Sequence, residues 1–326
     1  MNIGEFKAIV LDDNGDNELK NIGIQQLSSG DVIVKNYYST LNYKDMLAFQ
    51  KENKIIRQYP MIPGVDLSGE VVESKSDEFK IGDKVIATGY GIGVNHTGGL
   101  AEYAQLPHEW LTPLPNNLSL KQAMIIGTAG LAAGLSIDEL EEHGMNVKNQ
   151  PQIIVTGATG GVGSIAILIL KKLGYSHITA VIRKEYQYDV AKKLGATSIV
   201  YAEKLEDTKL LQKQQYNFAI DTVGGKVIAN LLPKMCYGGS IALCGNAGGN
   251  LIDTNVFPFI LRKINLLGID TVNMTNQLRK RIWKRFANEW NISKNVIFNE
   301  ITLDDVLCEI DKLKQGKHLG RTIIDL

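Results

Sequence analysis

Residues 156 to 163 read TGATGGVG, preceded by the run QIIV and followed by SIAILILKKLG. No other stretch constrains the fold as strongly. Four glycines in eight residues leave a strand-to-helix turn almost bare of side chains, and a helix opening there starts on N–H groups that have no intrahelical partner. The alternation then repeats: HITAVIR leads into QYDVAKKLGA, FAIDTVG into KVIANLLPKM, and GSIALCG follows. Strand runs that alternate with helical periodicity from about 123 to 270 predict parallel β-α-β units.

In that context the spacing of Gly157, Gly160 and Gly163 matches the dinucleotide fingerprint. The first glycine makes the tight turn, the second lets a pyrophosphate approach and the third packs helix on strand. The expected phosphate cradle comprises Gly157, Thr159, Gly160, Gly161, Val162 and Gly163, with the helix dipole favouring the anion. A glycine turn packed only against protein is the plainer alternative. An NAD-type site carries an acidic residue about 20 positions beyond the glycines, whereas a 2′-phosphate needs cations there. The sequence at that place is AVIRKE. Arg183 and Lys184 come first, which favours NADPH; Glu185 is a competing carboxylate, and a solvated strand end is the bland reading of all three.

Much of the chain comes before this loop. Residues 5 to about 122 carry short β-type runs, FKAIVL, DVIVKNYYSTLN, LSGEVVES, KVIATG and LAEYAQLP, broken by Gly, Pro, Asn and Asp turns. They predict a mainly antiparallel β domain. After 270 come an amphipathic run at 276 to 290, a second helical run LDDVLCEIDKLKQG and a closing strand GRTIIDL. The expected organisation is a β-rich domain over 1–122, completed by about 296–326, and a nucleotide-binding domain over 123–295.

With 326 residues, 44% of them hydrophobic, the chain can bury two cores. Lys plus Arg and Asp plus Glu are both 35, so no global field draws it to nucleic acid or an anionic membrane. The run IAILILKKLG falls short of the roughly 20 residues that span a bilayer, and MNIGEFKAIV has no signal pattern, so a cytoplasmic protein is expected. Cys236, Cys244 and Cys308 lack C-x-x-C spacing, which suits a reducing compartment.

Six further stretches carry a family likeness: LNYKD (41–45), PMIPGVDLSGEV (60–71), GVNHTGGLAEYA (93–104), MIIGTAGLAA (124–133), AIDTVGG (219–225) and FPFILRKINLLGID (257–270). With the β-rich domain ahead of the glycine loop, the chain resembles the medium-chain dehydrogenase/reductase superfamily. More narrowly it resembles the zinc-free, quinone-oxidoreductase-like branch that includes NADPH-dependent acryloyl-CoA reductases. The resemblance spans essentially the whole chain. It implies an α/β protein in which a GroES-like catalytic domain joins a doubly wound Rossmann domain across an interdomain cleft, and a homodimer.

Zinc-dependent members carry Cys, His and Cys ligands with a Gly-His-Glu stretch. Here PGVDLSGE places Asp66 where the histidine would stand, and residues 1–235 contain no cysteine. Zinc prefers N and S ligands, so none is expected. His96 is the one tempting ligand, and a lone loop histidine is more often a pocket or surface residue.

Without a metal, reduction of an activated C=C needs hydrogen-bond donors at the oxygen where enolate charge grows. By resemblance, LNYKD faces the nicotinamide. Tyr43 would pack the ring and donate through its hydroxyl, Asn42 offers an amide, Lys44 a positive charge, and Asp45 would orient Lys44 or relay a proton. The structural alternative has Asn42 capping a helix and Tyr43 filling core. Asn246 and Ile260 are expected along the nicotinamide half of the cofactor, with Arg262 there or in an interface salt bridge. In NQLRKRIWKRF the residues Ile282, Trp283 and Phe286 recur at helical spacing, which favours a core stripe over a nucleic-acid surface; Arg279 or Lys280 contacting CoA phosphates is an intermediate possibility. The expected activity is NADPH-dependent reduction of acryloyl-CoA or a short 2-enoyl-CoA. A quinone oxidoreductase and a non-catalytic NADPH-binding redox sensor are the alternatives.

Overall fold

The computed structural model describes residues 3–14, 17–50, 55–206 and 209–326. The chain forms two compact units, one of 1–128, 271–293 and 297–326, the other of 129–270 and 294–296.

The second unit holds a six-stranded parallel sheet. Its spatial order is Ser198–Tyr201, Ile178–Ile182, Ile153–Val155, Tyr216–Asp221, Met235–Leu243 and Asn265–Gly268. Numbered along the chain that order is 3-2-1-4-5-6, the doubly wound arrangement in which strand order reverses beside the first strand. Ile153, Ile154 and Val155 are fully buried, as strands covered on both faces must be. The glycine loop leaves the carboxyl end of that first strand, at the switch point. Helix Gly161–Lys172 follows and buries eight consecutive residues, Gly163 to Leu170.

In the first unit, strand Val32–Leu41 pairs antiparallel with Asp66–Ser74, with Tyr103–Leu106 and with Arg321–Asp325. The strand opened by Arg321 also pairs parallel with Phe298–Thr302, and Lys84–Thr88 and Leu111–Pro113 extend the sheet on the other side. A separate hairpin joins Phe6–Leu11 to Asn17–Ile22. One core is built on Ile9, Leu41, Met46 and Ile324, another on Val34, Leu67, Val71 and Val85.

Residues 123–128 and 271–293 group with the first unit, where the sequence expectation assigned them to 123–295. The reason for the later segment is a buried arginine. Arg279, 1% exposed on helix Asn276–Arg285, donates to Thr88 O at 2.8 Å, Thr88 Oγ1 at 3.0 Å and Thr271 O at 3.0 Å, with its guanidinium over the Tyr90 ring. Arg279 therefore cannot meet a CoA phosphate, and that possibility is corrected. Ile282, Trp283 and Phe286 are fully buried, as the core-stripe reading requires, and Lys280 stays exposed.

Helix Leu120–Glu142 is longer than the apolar run singled out in the sequence. Among the described residues it is the one helix long and apolar enough to cross a bilayer, and 89% of its apolar window is buried. Its path breaks at Gly127, with φ +53° and ψ −162°.

Candidate active site

The glycine loop is shaped by its neighbour across the switch point. Thr156 Oγ1 donates to Asp221 Oδ1 at 2.6 Å, Thr222 Oγ1 donates to Thr156 O at 2.9 Å, and Gly224 N donates to Asp221 Oδ2 at 2.7 Å. Burial pushes the Asp221 carboxyl up, against the opposing pull of these donors. Gly157 turns at φ +58°, and a Cβ there would lie 2.2 Å from Thr222 Oγ1. At Gly163 a Cβ would lie 2.4 Å from Gly157 O, so its bareness serves the packing of helix on strand. Gly160 differs: a Cβ would meet only Gly157 O, at 3.3 Å. Protein packing does not demand a glycine there, so the open space beside the helix start fits an approaching pyrophosphate. Gly161 and Val162 are half-buried in the first turn, and Thr159 is buried with its hydroxyl accepting from Gln187 Nε2 at 2.7 Å.

Arg183 and Lys184 stand exposed just past the end of strand Ile178–Ile182. Asn246 is exposed after Met235–Leu243, and its carbonyl accepts from Gly249 N at 3.0 Å. Ile260 is 69% exposed on helix Phe257–Arg262. No described hydrogen bond ties Asn246 or Ile260 to the glycine loop. Arg262 is a structural clamp: its guanidinium donates to Pro233 O, to Met235 O at 3.1 Å and to Gln212 O. This assigns it to the fold rather than to the cofactor or an interface salt bridge.

The LNYKD stretch becomes helix Tyr43–Ala48, and the four candidates divide between its two sides. Asn42 is the N-cap, and its backbone N–H donates to Asp45 Oδ2 at 2.8 Å in a capping-box bond. Both side chains are buried. Tyr43 is 43% exposed and does not fill core; Lys44 is half-buried. Among the described residues neither the Tyr43 hydroxyl nor the Lys44 ammonium has a hydrogen-bond partner in the fold, which leaves both donors available. Asp45 does not orient Lys44, because its second oxygen accepts from Val65 N at 3.0 Å.

Beneath this helix lies a buried polar cluster that sequence reasoning largely missed. Asp66, fully buried, accepts from Thr40 Oγ1 at 2.9 Å, Asn42 Nδ2 at 2.9 Å, Thr128 N at 2.9 Å and the Thr128 hydroxyl. Arg321, 2% exposed, donates to Asn42 Oδ1 at 3.0 Å and Thr40 Oγ1 at 3.0 Å, and its Nη2 lies 3.8 Å from Asp66 Oδ2. Gly127 permits this approach: a Cβ there would lie 2.6 Å from Arg321 Nη2 and 2.7 Å from Asp66 Oδ2, and its φ of +53° is left-handed. One guanidinium thus faces two buried carboxylates. Burial, with the Asp66 charge behind it, pushes the Asp45 carboxyl up to about 7 despite the donors from Asn42 and Val65. Burial pulls Arg321 down, opposed by Asp66 and Asp45. The one signal available in the sequence was a charged residue, Arg321, opening the closing strand RTIID.

A nucleotide loop at the switch point of a doubly wound sheet, and a GroES-like β unit carrying a buried polar cluster, define a pyridine-nucleotide-dependent dehydrogenase or reductase. The family model "Alcohol dehydrogenase GroES-like domain" matches residues 28–116, and "Zinc-binding dehydrogenase" matches 161–288. The chain belongs to the medium-chain dehydrogenase/reductase superfamily, in its zinc-free branch. YhfP of Bacillus subtilis, provisionally named a quinone oxidoreductase, is 41% identical over 98% of this chain and 99% of its own. The acrylyl-CoA reductase AcuI of Ruegeria pomeroyi is 38% identical over 98% of this chain and 99% of its own. The yhdH oxidoreductase of Salmonella enterica, solved in complex with NADP, has a TM-score of 0.94 and 41% identity, covering 98% of this chain and 99% of its own. The structure of B. subtilis yhfP with NAD bound has a TM-score of 0.95 and 41% identity, covering 99% of this chain and 100% of its own.

The second family description raises the question of zinc, and the donor set does not fit it. The Asp66 oxygens are taken by hydroxyl and N–H donors, with a guanidinium beside them, and zinc takes tetrahedral sets of Cys, His and carboxylate ligands. His96 offers no free nitrogen: Nδ1 lies 3.0 Å from Thr97 O and Nε2 3.0 Å from Ser29 O. Among the described residues no three His, Cys, Asp or Glu side chains gather as a metal set.

Proposed function

We propose that this chain is an NADPH-dependent reductase of activated C=C bonds, acting on acryloyl-CoA or another short 2-enoyl-CoA. The observation that carries the reading is the division of helix Tyr43–Ala48: a buried, fully bonded side fixed by Asn42 and Asp45, and an outer side offering the Tyr43 hydroxyl and Lys44 ammonium. Bound NADPH supplies hydride to the β-carbon. The glycine loop holds the pyrophosphate, Arg183 and Lys184 face the 2′-phosphate, and Asn246 and Ile260 line the nicotinamide half. Tyr43, with Lys44 beside it, donates to the carbonyl or thioester oxygen as enolate charge develops there. Preorganised donors of this kind act without reorganisation at the moment of reaction. Asn42 and Asp45 position the helix, and Arg321 and Asp66 keep that base rigid.

The name of YhfP supports a second reading, a quinone oxidoreductase using the same coenzyme. The non-catalytic NADPH-binding redox sensor is disfavoured by helix Tyr43–Ala48, whose outer side offers the Tyr43 hydroxyl and the Lys44 ammonium as donors. The proposed assembly is a cytoplasmic homodimer. Among the described residues strand Asn265–Gly268 is the outermost of its sheet, and Val256, Phe257 and Leu261 next to it in the chain are exposed.

NADPH oxidation measured side by side with acryloyl-CoA, crotonyl-CoA and a benzoquinone tests the assignment. Turnover of the thioesters supports it, and turnover of the quinone alone selects the second reading. Tight NADPH binding with no turnover of any of the three favours the non-catalytic one.

A further inference from the structure

Relatives of this chain are solved with NADP, with NADPH and, in one case, with NAD, so the residues that set the preference belong to each chain's own ribose loop. The loop after strand Ile178–Ile182 carries contradictory chemistry. Arg183 and Lys184 suit a 2′-phosphate, and Glu185 suits a free ribose hydroxyl while repelling a phosphate. Two side chains outside the fingerprint resolve the conflict.

Tyr201 ends strand Ser198–Tyr201, which pairs in parallel with Ile178–Ile182 in a register that sets Tyr201 opposite Ile182. The phenol therefore stands alongside the loop that begins at Arg183, and its hydroxyl donates to Glu185 Oε2. That bond holds the Tyr201 hydroxyl above its ordinary value, so it remains a donor through the neutral range.

Gln187 opens helix Gln187–Leu194 and is half-buried. Its Oε1 accepts from both Arg183 N and Lys184 N at 2.9 Å, and its Nε2 donates to Thr159 Oγ1 at 2.7 Å. Two backbone donors can meet only the amide oxygen, so the orientation of the amide is fixed. One side chain thereby ties the backbone bearing both cations to the pyrophosphate loop.

Resting on the NADPH reading above, the structure assigns to Gln187 and Tyr201 the role of positioning residues that set coenzyme preference: Tyr201 draws the Glu185 carboxylate away from the ribose, and Gln187 fixes the two cations at a set distance from the phosphate cradle. Neither touches the reacting atoms. Each acts on the difference between two nucleotides rather than on binding in general.

Calorimetric titration with 2′,5′-ADP and 5′-AMP reads this difference without turnover. Wild type is expected to prefer 2′,5′-ADP by at least about tenfold, the scale of one charge-assisted hydrogen bond. Tyr201→Phe should cut the preference roughly tenfold, and adding Glu185→Gln to Tyr201→Phe should restore it, because the freed carboxylate is what disfavours the phosphate. Gln187→Ala should reduce the preference at least threefold, on the order expected for losing one neutral tether. Tyr201→Phe and Gln187→Ala variants that keep the wild-type ratio, or that weaken both nucleotides equally, overturn the proposal. A wild type with no preference between the nucleotides refutes the NADPH reading itself, and the assignment falls with it.

Discussion

Arg321 donates from Nη1 to Oδ1 of Asn42 at 3.0 Å, so the closing strand grips the N-cap of a helix that begins 278 positions earlier, at Tyr43. The same guanidinium lies 3.8 Å from Asp66, and the two carboxylates Asp66 and Asp45 lie on its side of the unit, both fully or almost fully buried. Removing this one cation exposes every part of the cluster to uncompensated charge.

Arg321→Ala is therefore expected to destabilise the protein by about 3–5 kcal/mol, the cost of breaking a buried pair from one side. Arg321→Lys keeps the charge but loses the planar fork that reaches both Asn42 and Thr40, and should recover only part of the loss. Urea denaturation midpoints check both. An alanine variant as stable as wild type would show that the cluster carries no charge balance.

Asp45 should leave a signature in the pH dependence of stability. Its carboxyl, raised up to about 7 in the fold, holds a proton that the unfolded chain releases from about pH 4 upward. A raised carboxyl pKa means the folded state binds more protons, so this contribution to stability is complete below about pH 4, is lost as pH rises to about 7, and is flat above that. The stability of wild type minus that of Asp45→Asn should fall across that window in denaturation series. A difference independent of pH would rule out the raised carboxyl.

Replacing Arg183 and Lys184 together by alanine should abolish a preference for NADPH over NADH of at least tenfold, since charge-assisted bonds contribute about 1.5–3 kcal/mol each. Fluorescence titration with both nucleotides provides the measurement. Equal losses for the two would remove these residues from the 2′-phosphate.

Tyr43 is 43% exposed, so its hydroxyl is free to act on substrate and its ring carries little of the core. Tyr43→Phe should lower kcat by about 10²–10³, the loss typical of one oxyanion donor, with NADPH affinity barely changed. A silent phenylalanine variant moves the chemistry to Lys44 or to a ribose hydroxyl of the coenzyme, and the pH dependence of the rate then separates those two.

Among the described residues strand Asn265–Gly268 leaves one edge of its sheet unpaired. Light scattering at micromolar concentration should give a mass near twice 35.9 kDa. A monomer would show that this edge is protected by other means.

The sequence by itself determined what depends on neighbours in the chain. The strand, the glycines and the helix from 152 to 174 lie next to one another, so their periodicity predicts the turn and its place at a strand end. Asn42 and Asp45 stand three residues apart, the spacing of a capping box, and the cap was therefore among the readings open from the start. Only the tertiary structure decided which polar groups share a buried space. Asp66 was legible only as a residue that is not histidine, and Arg321 and Thr128 carried no local periodic signal. Their meeting depends on the pairing of the closing strand with Val32–Leu41 and on the left-handed break at Gly127. Likewise the run 276–286 shows its core stripe in the sequence, but Arg279 reads there as part of the cationic face, until the sheet supplies the Thr88 carbonyl that draws it inside. Local order follows from bonds within a few residues, whereas burial of charge depends on partners brought from far along the chain, and no pattern in one segment records where its distant partner lies.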